Sequence, residues 1–306
     1  MTFNRTTSRA TESRNHADVI SAVRSAIAGK DLLGAGRLAR GYHNENGTTP
    51  EALEALSWVA RGALTAHRFQ EAADYARQTH RLALRQLNGS ILDSEPRLVT
   101  ALGASIEVLA QTMAYCGRRT QAIRFLKREL AKFSASSIRT RIRKTLNLLT
   151  MDGQPAPELE IRQWIGPKPP GLAELRGLPV LLFFWAHYCE DSRAQGRVLV
   201  RILDSFEKYG LVLIGPTRQY GYLDEHTRKP SSSRREVQHI KQTRREYYSD
   251  LSGMSMPLSE LSFDLYGVST TPTLVLINRK GIVCCYHPGR MSVRDLAARL
   301  RDLLKT

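Results

Sequence analysis

Cys189 is the residue of this chain best placed to do chemistry. It follows an apolar run, Val180 to Trp185, that reads as a strand, and precedes Glu190 to about Ser205, which reads as a helix. A cysteine at that junction sits at a helix N-terminus, where unpaired backbone N–H groups and the helix dipole favour an anion. That setting stabilises the thiolate, the form of cysteine that attacks disulfides. Three residues later, where a dithiol site carries its second sulfur, the chain has Ser192. A serine cannot release a mixed disulfide by internal attack, so turnover needs another thiol. Its hydroxyl can still hydrogen-bond to the Cys189 thiolate. Glu190 and Asp191 lie between the two. Their charges oppose thiolate formation and favour the start of a helix. His187 is a candidate proton acceptor, although a solvent-facing histidine is the simpler expectation.

The other sulfurs are Cys116, Cys284 and Cys285. Four cysteines so spaced do not make a disulfide scaffold. Cys116 reads as an inert buried residue. Adjacent strand residues point to opposite faces, so only one of Cys284 and Cys285 should face the helix that follows Cys189. If Ile277 pairs with Ile282 across the turn at 278–281, Cys285 falls opposite Leu274 and becomes a candidate resolving sulfur. Two small buried apolar residues is the preferred reading of the pair. No metal site is expected, because adjacent cysteines without a histidine cluster do not enclose zinc.

The elements that position these residues change character along the chain. Residues 1–16 are polar and read as disordered. Residues 17–150 read as helix after helix, with Leu102, Ile106, Leu109 and Met113 on one apolar face. A weak repeat runs through them: the segments at 28–35, 65–72 and 115–122 each join a short turn to a helix opened by a small residue, Ala35, Ala72 or Ala122. The offsets between these alanines are not constant. They are compatible with tetratricopeptide-like hairpins, which would offer a concave face to a protein partner, or with an ordinary helical bundle. Residues 151–158 read as a linker. From 159 to 306, strands (159–164, 180–185, 211–214, 273–277, 282–286) alternate with helices (192–209, 234–248, 293–304), which makes an α/β domain with a mixed sheet.

The chain has 306 residues and a formal net charge of +16. That length suits about two domains. The charge is dispersed as arginine along amphipathic helices, with no aromatic-interleaved basic motif, so a solvated basic surface is expected and nucleic acid is not. No run approaches the ~18 apolar residues that span a membrane. No export signal is visible, so the chain reads as cytoplasmic as written and periplasmic if a signal has been trimmed. Asn46-Gly47-Thr48 and Asn88-Gly89-Ser90 match the glycosylation pattern only weakly.

Four stretches together resemble the TlpA-like branch of the thioredoxin superfamily over roughly residues 155–306. They are Leu175-Arg176-Gly177, Trp185-Ala186-His187-Tyr188-Cys189, Tyr266-Gly267-Val268 followed by Thr271-Pro272-Thr273-Leu274, and Asn278-Arg279-Lys280-Gly281-Ile282-Val283. The resemblance implies a bacterial thiol–disulfide oxidoreductase that uses no cofactor and acts on protein thiols or disulfides. It makes Cys189 the nucleophile and Pro272 a cis-proline facing it, with Ser192 in the resolving position. Trp185, Tyr188 and the backbone of Thr271 would then contact substrate, with His187, Glu190, Asp191 and Cys285 as accessory candidates. The chain departs from the pattern at Ser192, at Glu190-Asp191 and at Phe183, which stands where thioredoxin places a buried acid. An external thiol reductant is therefore implied. The competing expectation is a redox-inactive peptide-binding module joined to a helical protein-interaction domain. A peroxiredoxin-like site is disfavoured, because Trp185 to Tyr188 lack the threonine that such a site places before its cysteine.

Overall fold

The computed structural model describes residues 19–87, 89 and 91–305, and two units divide between Thr145 and Leu146. Residues 1–16, Asn88 and Ser90 lie outside the described residues.

The first unit is helical: α1 Val19–Ala28, α2 Leu32–Asn46, α3 Pro50–Thr65, α4 Phe69–Leu87, α5 Pro96–Tyr115 and α6 Arg119–Lys132, followed by α7 Arg139–Thr150, within which the division falls. Local signals start these helices. Asp31 accepts the Gly34 N–H at 2.7 Å to cap α2, and Thr49 accepts from Ala52 with Pro50 in the first turn of α3. Ala35, Ala72 and Ala122 are fully buried, so neighbouring helices can approach closely.

The three repeat segments share one turn. At Gly29–Asp31, Ala66–Arg68 and Cys116–Arg118 the same four backbone bonds form, ending with Ala35, Ala72 and Ala122 donating to the cap carbonyl four residues back. Each turn holds its central residue at positive φ: Lys30 at 64°, His67 at 58° and Gly117 at 76°. This is a helix stop of the Schellman type followed directly by a new helix. Cys116 is exposed there as the α5 C-cap, not buried as expected. Among the described residues α5 alone is long and apolar enough to cross a membrane by length and composition. Leu102, Ala104 and Ile106 on it are fully buried, and it packs against α3, α4 and α6.

The second unit is built on a four-stranded sheet in the order β3-β2-β5-β6 (β3 Val212–Ile214, β2 Val180–Phe184, β5 Thr273–Ile277, β6 Val283–Pro288). β2 runs parallel to β3 and antiparallel to β5, and β5 antiparallel to β6. Every residue of β2 is buried, because both faces are covered. Leu181, Phe183 and Trp185 pack with α8 (Glu190–Phe206) and α11 (Val293–Leu303). Val180, Leu182 and Phe184 pack on the other face with Phe263 and Tyr266 of α10 (Glu260–Tyr266). α9, Ser233–Tyr247, follows the long loop after β3.

Two expectations are corrected. The strand expected at 159–164 is reduced to β1, Trp164–Ile165, paired with β4, Met256–Pro257, because Glu160 N–H bonds the Ser262 hydroxyl instead of a strand. The expected linker lies along β6: Gly153 donates to Val283 O at 2.8 Å and Ala156 to Gly281 O at 3.0 Å.

Candidate active site

Cys189 is the N-cap of α8, with extended backbone (φ −82°, ψ 115°) and no side-chain cap bond. Its sulfur is half-buried and donates to the Thr271 carbonyl at 3.2 Å. The Thr271–Pro272 peptide is cis. β5 begins one residue later beside β2, with Phe184 opposite Thr273, and this pairing brings Cys189 and Thr271 together across 82 residues of sequence. Two of the motif stretches meet elsewhere as well, where Gly177 N–H donates to Arg279 O at 2.8 Å, and Gly267 O accepts from the hydroxyl of Tyr286 on β6 at 3.3 Å.

Several expected site residues are placed differently. Trp185 cannot touch a substrate: it is fully buried, and its indole N–H donates to Gly215 O at 3.0 Å. Ser192 is also fully buried, and its hydroxyl accepts from Ala186 N–H at 3.5 Å rather than serving the Cys189 sulfur. Glu190 and Asp191 are exposed on the first turn of α8, and Asp191 lies 3.4 Å from Arg290.

Cys285 pairs with Leu276, not Leu274, because Cys284 is an extra residue between the pairs Leu276↔Cys285 and Ile277↔Val283. Leu276 is four residues beyond Pro272, roughly 13 Å along the strand. A disulfide needs Cα atoms within about 7 Å, so Cys285 is out of reach of Cys189. The bulge also turns both sulfurs toward the same core cluster, against the expected alternation. Burial raises both thiols.

His187 is the largest reversal. It is fully buried, and its Nε2–H donates to the Tyr222 carbonyl at 3.0 Å. Nδ1 has no partner, with Glu236 Oε1 4.0 Å away. Burial lowers its pKa to about 4, against the bond to Tyr222, so it is a neutral ring at pH 7.

Sequence reading missed the segment that covers it. The loop after β3 and α9 supply Tyr220, Tyr222, Glu236 and His239. Glu236, 1% exposed, accepts the Tyr220 and Gly221 amides at 2.5 and 3.0 Å. This fixes a tyrosine wall beside Cys189: Tyr188 lies 4.9 Å from the Tyr220 ring and 5.3 Å from Tyr222. Burial raises the Tyr188 phenol. A readable signal was present, since Glu236 is an isolated acid in the basic run Arg234-Arg235-Glu236.

A parallel β2–β3 pair flanked by antiparallel β5 and β6, a cysteine starting the helix after β2 and a cis-proline before β5 define a thioredoxin-like unit. No protein-family model matches the chain, and no curated protein matches it. Among solved structures it is similar to a thioredoxin-like superfamily protein (22% identity, 50% of this chain and 97% of that one, TM-score 0.41). It is also similar to a thiol-disulfide isomerase from Corynebacterium glutamicum (19%, 49% and 97%, TM-score 0.40). A third is a thiol:disulfide interchange protein of the thioredoxin family from Chlorobium tepidum TLS (17%, 50% and 97%, TM-score 0.37).

Proposed function

We propose that this protein is a TlpA-like thiol–disulfide exchange protein that works with one active-site sulfur on protein disulfides or thiols. The observation that carries the reading is the Cys189 sulfur, at a helix N-terminus and 3.2 Å from the carbonyl that precedes a cis-proline. The Cys189 thiolate attacks one sulfur of a substrate disulfide. The substrate S–S bond breaks, a mixed disulfide forms and a substrate thiolate leaves. An external thiolate then attacks the Cys189 sulfur and expels the second substrate thiolate. A second external thiol frees Cys189 and departs as the external disulfide, so two external thiols are oxidised as one substrate disulfide is reduced. The helical unit is the partner-recruiting part in this reading.

The out-of-reach Cys285 and the buried Ser192 favour a second reading, a redox-inactive module that holds peptides beside Pro272. Disulfide exchange and partner binding separate the two. Exchange on a model protein disulfide that Cys189→Ser abolishes is expected. No exchange, with partner binding unchanged in Cys189→Ser, would establish the binding module instead.

A further inference from the structure

Two arginines of the helical unit share one aromatic ring and lack a counter-charge. Trp58 and Arg61 lie three residues apart on α3 and so share a face, with Arg61 Cζ 4.4 Å from the Trp58 ring centroid. Arg24 of α1 stands over the same ring at 4.8 Å. Gly62 lets the two helices come this close, since a Cβ there would lie 3.1 Å from Ile27 of α1. Trp58 and Arg61 are half-buried and Arg24 is exposed. Arg61 Nε and Trp58 Nε1 are closed to solvent and bond nothing.

The acids nearby are taken by other cations. Glu54 lies 3.0 Å from Arg97, and Arg141 and Lys144 hold Glu107 at 2.7 and 2.6 Å. Among the described residues no ion pair forms at Arg24 or Arg61. Burial, and after it the Arg141 charge, lowers the Arg61 guanidinium to about 10, so it remains a cation at pH 7. A cation drawn partly out of water without a counter-charge costs stability, and a second cation beside it adds repulsion. An anion from outside the chain relieves both.

We propose that Arg24 and Arg61 bind a carboxylate, with Trp58 as the platform that holds both guanidiniums. A guanidinium presents its N–H donors in a planar fork that matches the two oxygens of a carboxylate. Phosphate sites add free backbone N–H groups at a helix N-terminus. Arg24, Trp58 and Arg61 sit inside α1 and α3, where the backbone N–H groups are spent on the helix and only side chains are left to bind. A small dicarboxylic acid and an acidic side chain of a protein segment carry the same chemistry. The site lies within the helical unit, so it stands whether or not Cys189 exchanges disulfides.

Calorimetric titration of the full chain tests this, with glutarate and an acetylated, amidated tetraglutamate peptide as probes. A chain of net charge +16 attracts any acid loosely. Arg61→Gln is therefore compared with Arg124→Gln/Arg128→Gln, which removes two exposed cations from α6. Arg61→Gln should weaken binding about tenfold or more, and the α6 variant less than about twofold. Without ligand the thermal midpoint of Arg61→Gln should hold or rise, because an uncompensated charge has gone. If that variant does not fold, the exposed Arg24→Gln carries the same comparison. Binding of glutarate assigns the site to small acids, and binding of the peptide alone assigns it to a protein segment; either supports the proposal. Binding of neither probe, equal weakening in both variants, or inorganic phosphate bound more tightly than both probes overturns it.

Discussion

Glu107 of the helical unit and His187 of the thioredoxin-like unit answer burial in opposite ways. In the helical unit Glu107 is matched twice: Arg141 lies 2.7 Å from one oxygen and Lys144 2.6 Å from the other. Burial opposes its charge, but the two cations outweigh that and hold its pKa at about 2. In the thioredoxin-like unit, His187 Nδ1 and Tyr248 Oη are buried with no partner. Glu236 is bound by backbone amides rather than a cation within hydrogen-bond distance. Paired groups stabilise a fold, whereas a buried group left without a partner costs stability.

That contrast can be broken by mutation and by acid. The largest effect is expected from Glu107→Ala, which strands Arg141 and Lys144 without a counter-charge. It should cost about 3–5 kcal/mol, read by urea unfolding followed by circular dichroism. A loss below about 1 kcal/mol would show the pairing to be solvent-screened.

Acid separates the units by window. The folded His187 pKa of about 4 lies below the unfolded 6.5, so the unfolded chain binds the proton first. Stability is intact above pH 6.5 and falls as pH drops toward 4, by roughly 3 kcal/mol. Glu107, lowered from 4.5 to about 2, gives stability that is present above pH 4.5 and lost as pH falls toward 2. Thermal melts should therefore show the thioredoxin-like unit failing first, and His187→Phe should remove the upper window only.

Glu236→Ala leaves the Tyr220 and Gly221 amides unpaired and should cost about 2 kcal/mol. Hydrogen exchange at those two amides should accelerate most. Gly196→Ala sets a methyl against Tyr248. Overpacking of about 1–3 kcal/mol is offset by about 1 kcal/mol of helix propensity, so a net loss near 1 kcal/mol is expected in thermal melts. A gain would mean that Tyr248 yields its place easily.

Much of the site was legible because its signals are local. A strand, a cysteine and a helix start in that order need no tertiary knowledge, and Thr271-Pro272 carries its own backbone restriction. The repeat at Ala35, Ala72 and Ala122 was equally readable, since each copy of the turn is closed by bonds within ten residues. The bulge at Cys284 left no such trace. One extra residue changes register and facing at once, and only pairing with β5 reveals it.

By itself, then, the sequence determined the helical first half, the α/β second half and the cysteine that starts α8, because spacing, apolar runs and turn residues act over a few residues. Tertiary structure alone decided that His187 and Ser192 are buried, that Cys285 is beyond reach and that Glu236 and Tyr248 pack beside His187 and Trp185. Those outcomes depend on which distant segments share a face. Burial, which sets hydrogen bonding and charge here, arises only when they meet.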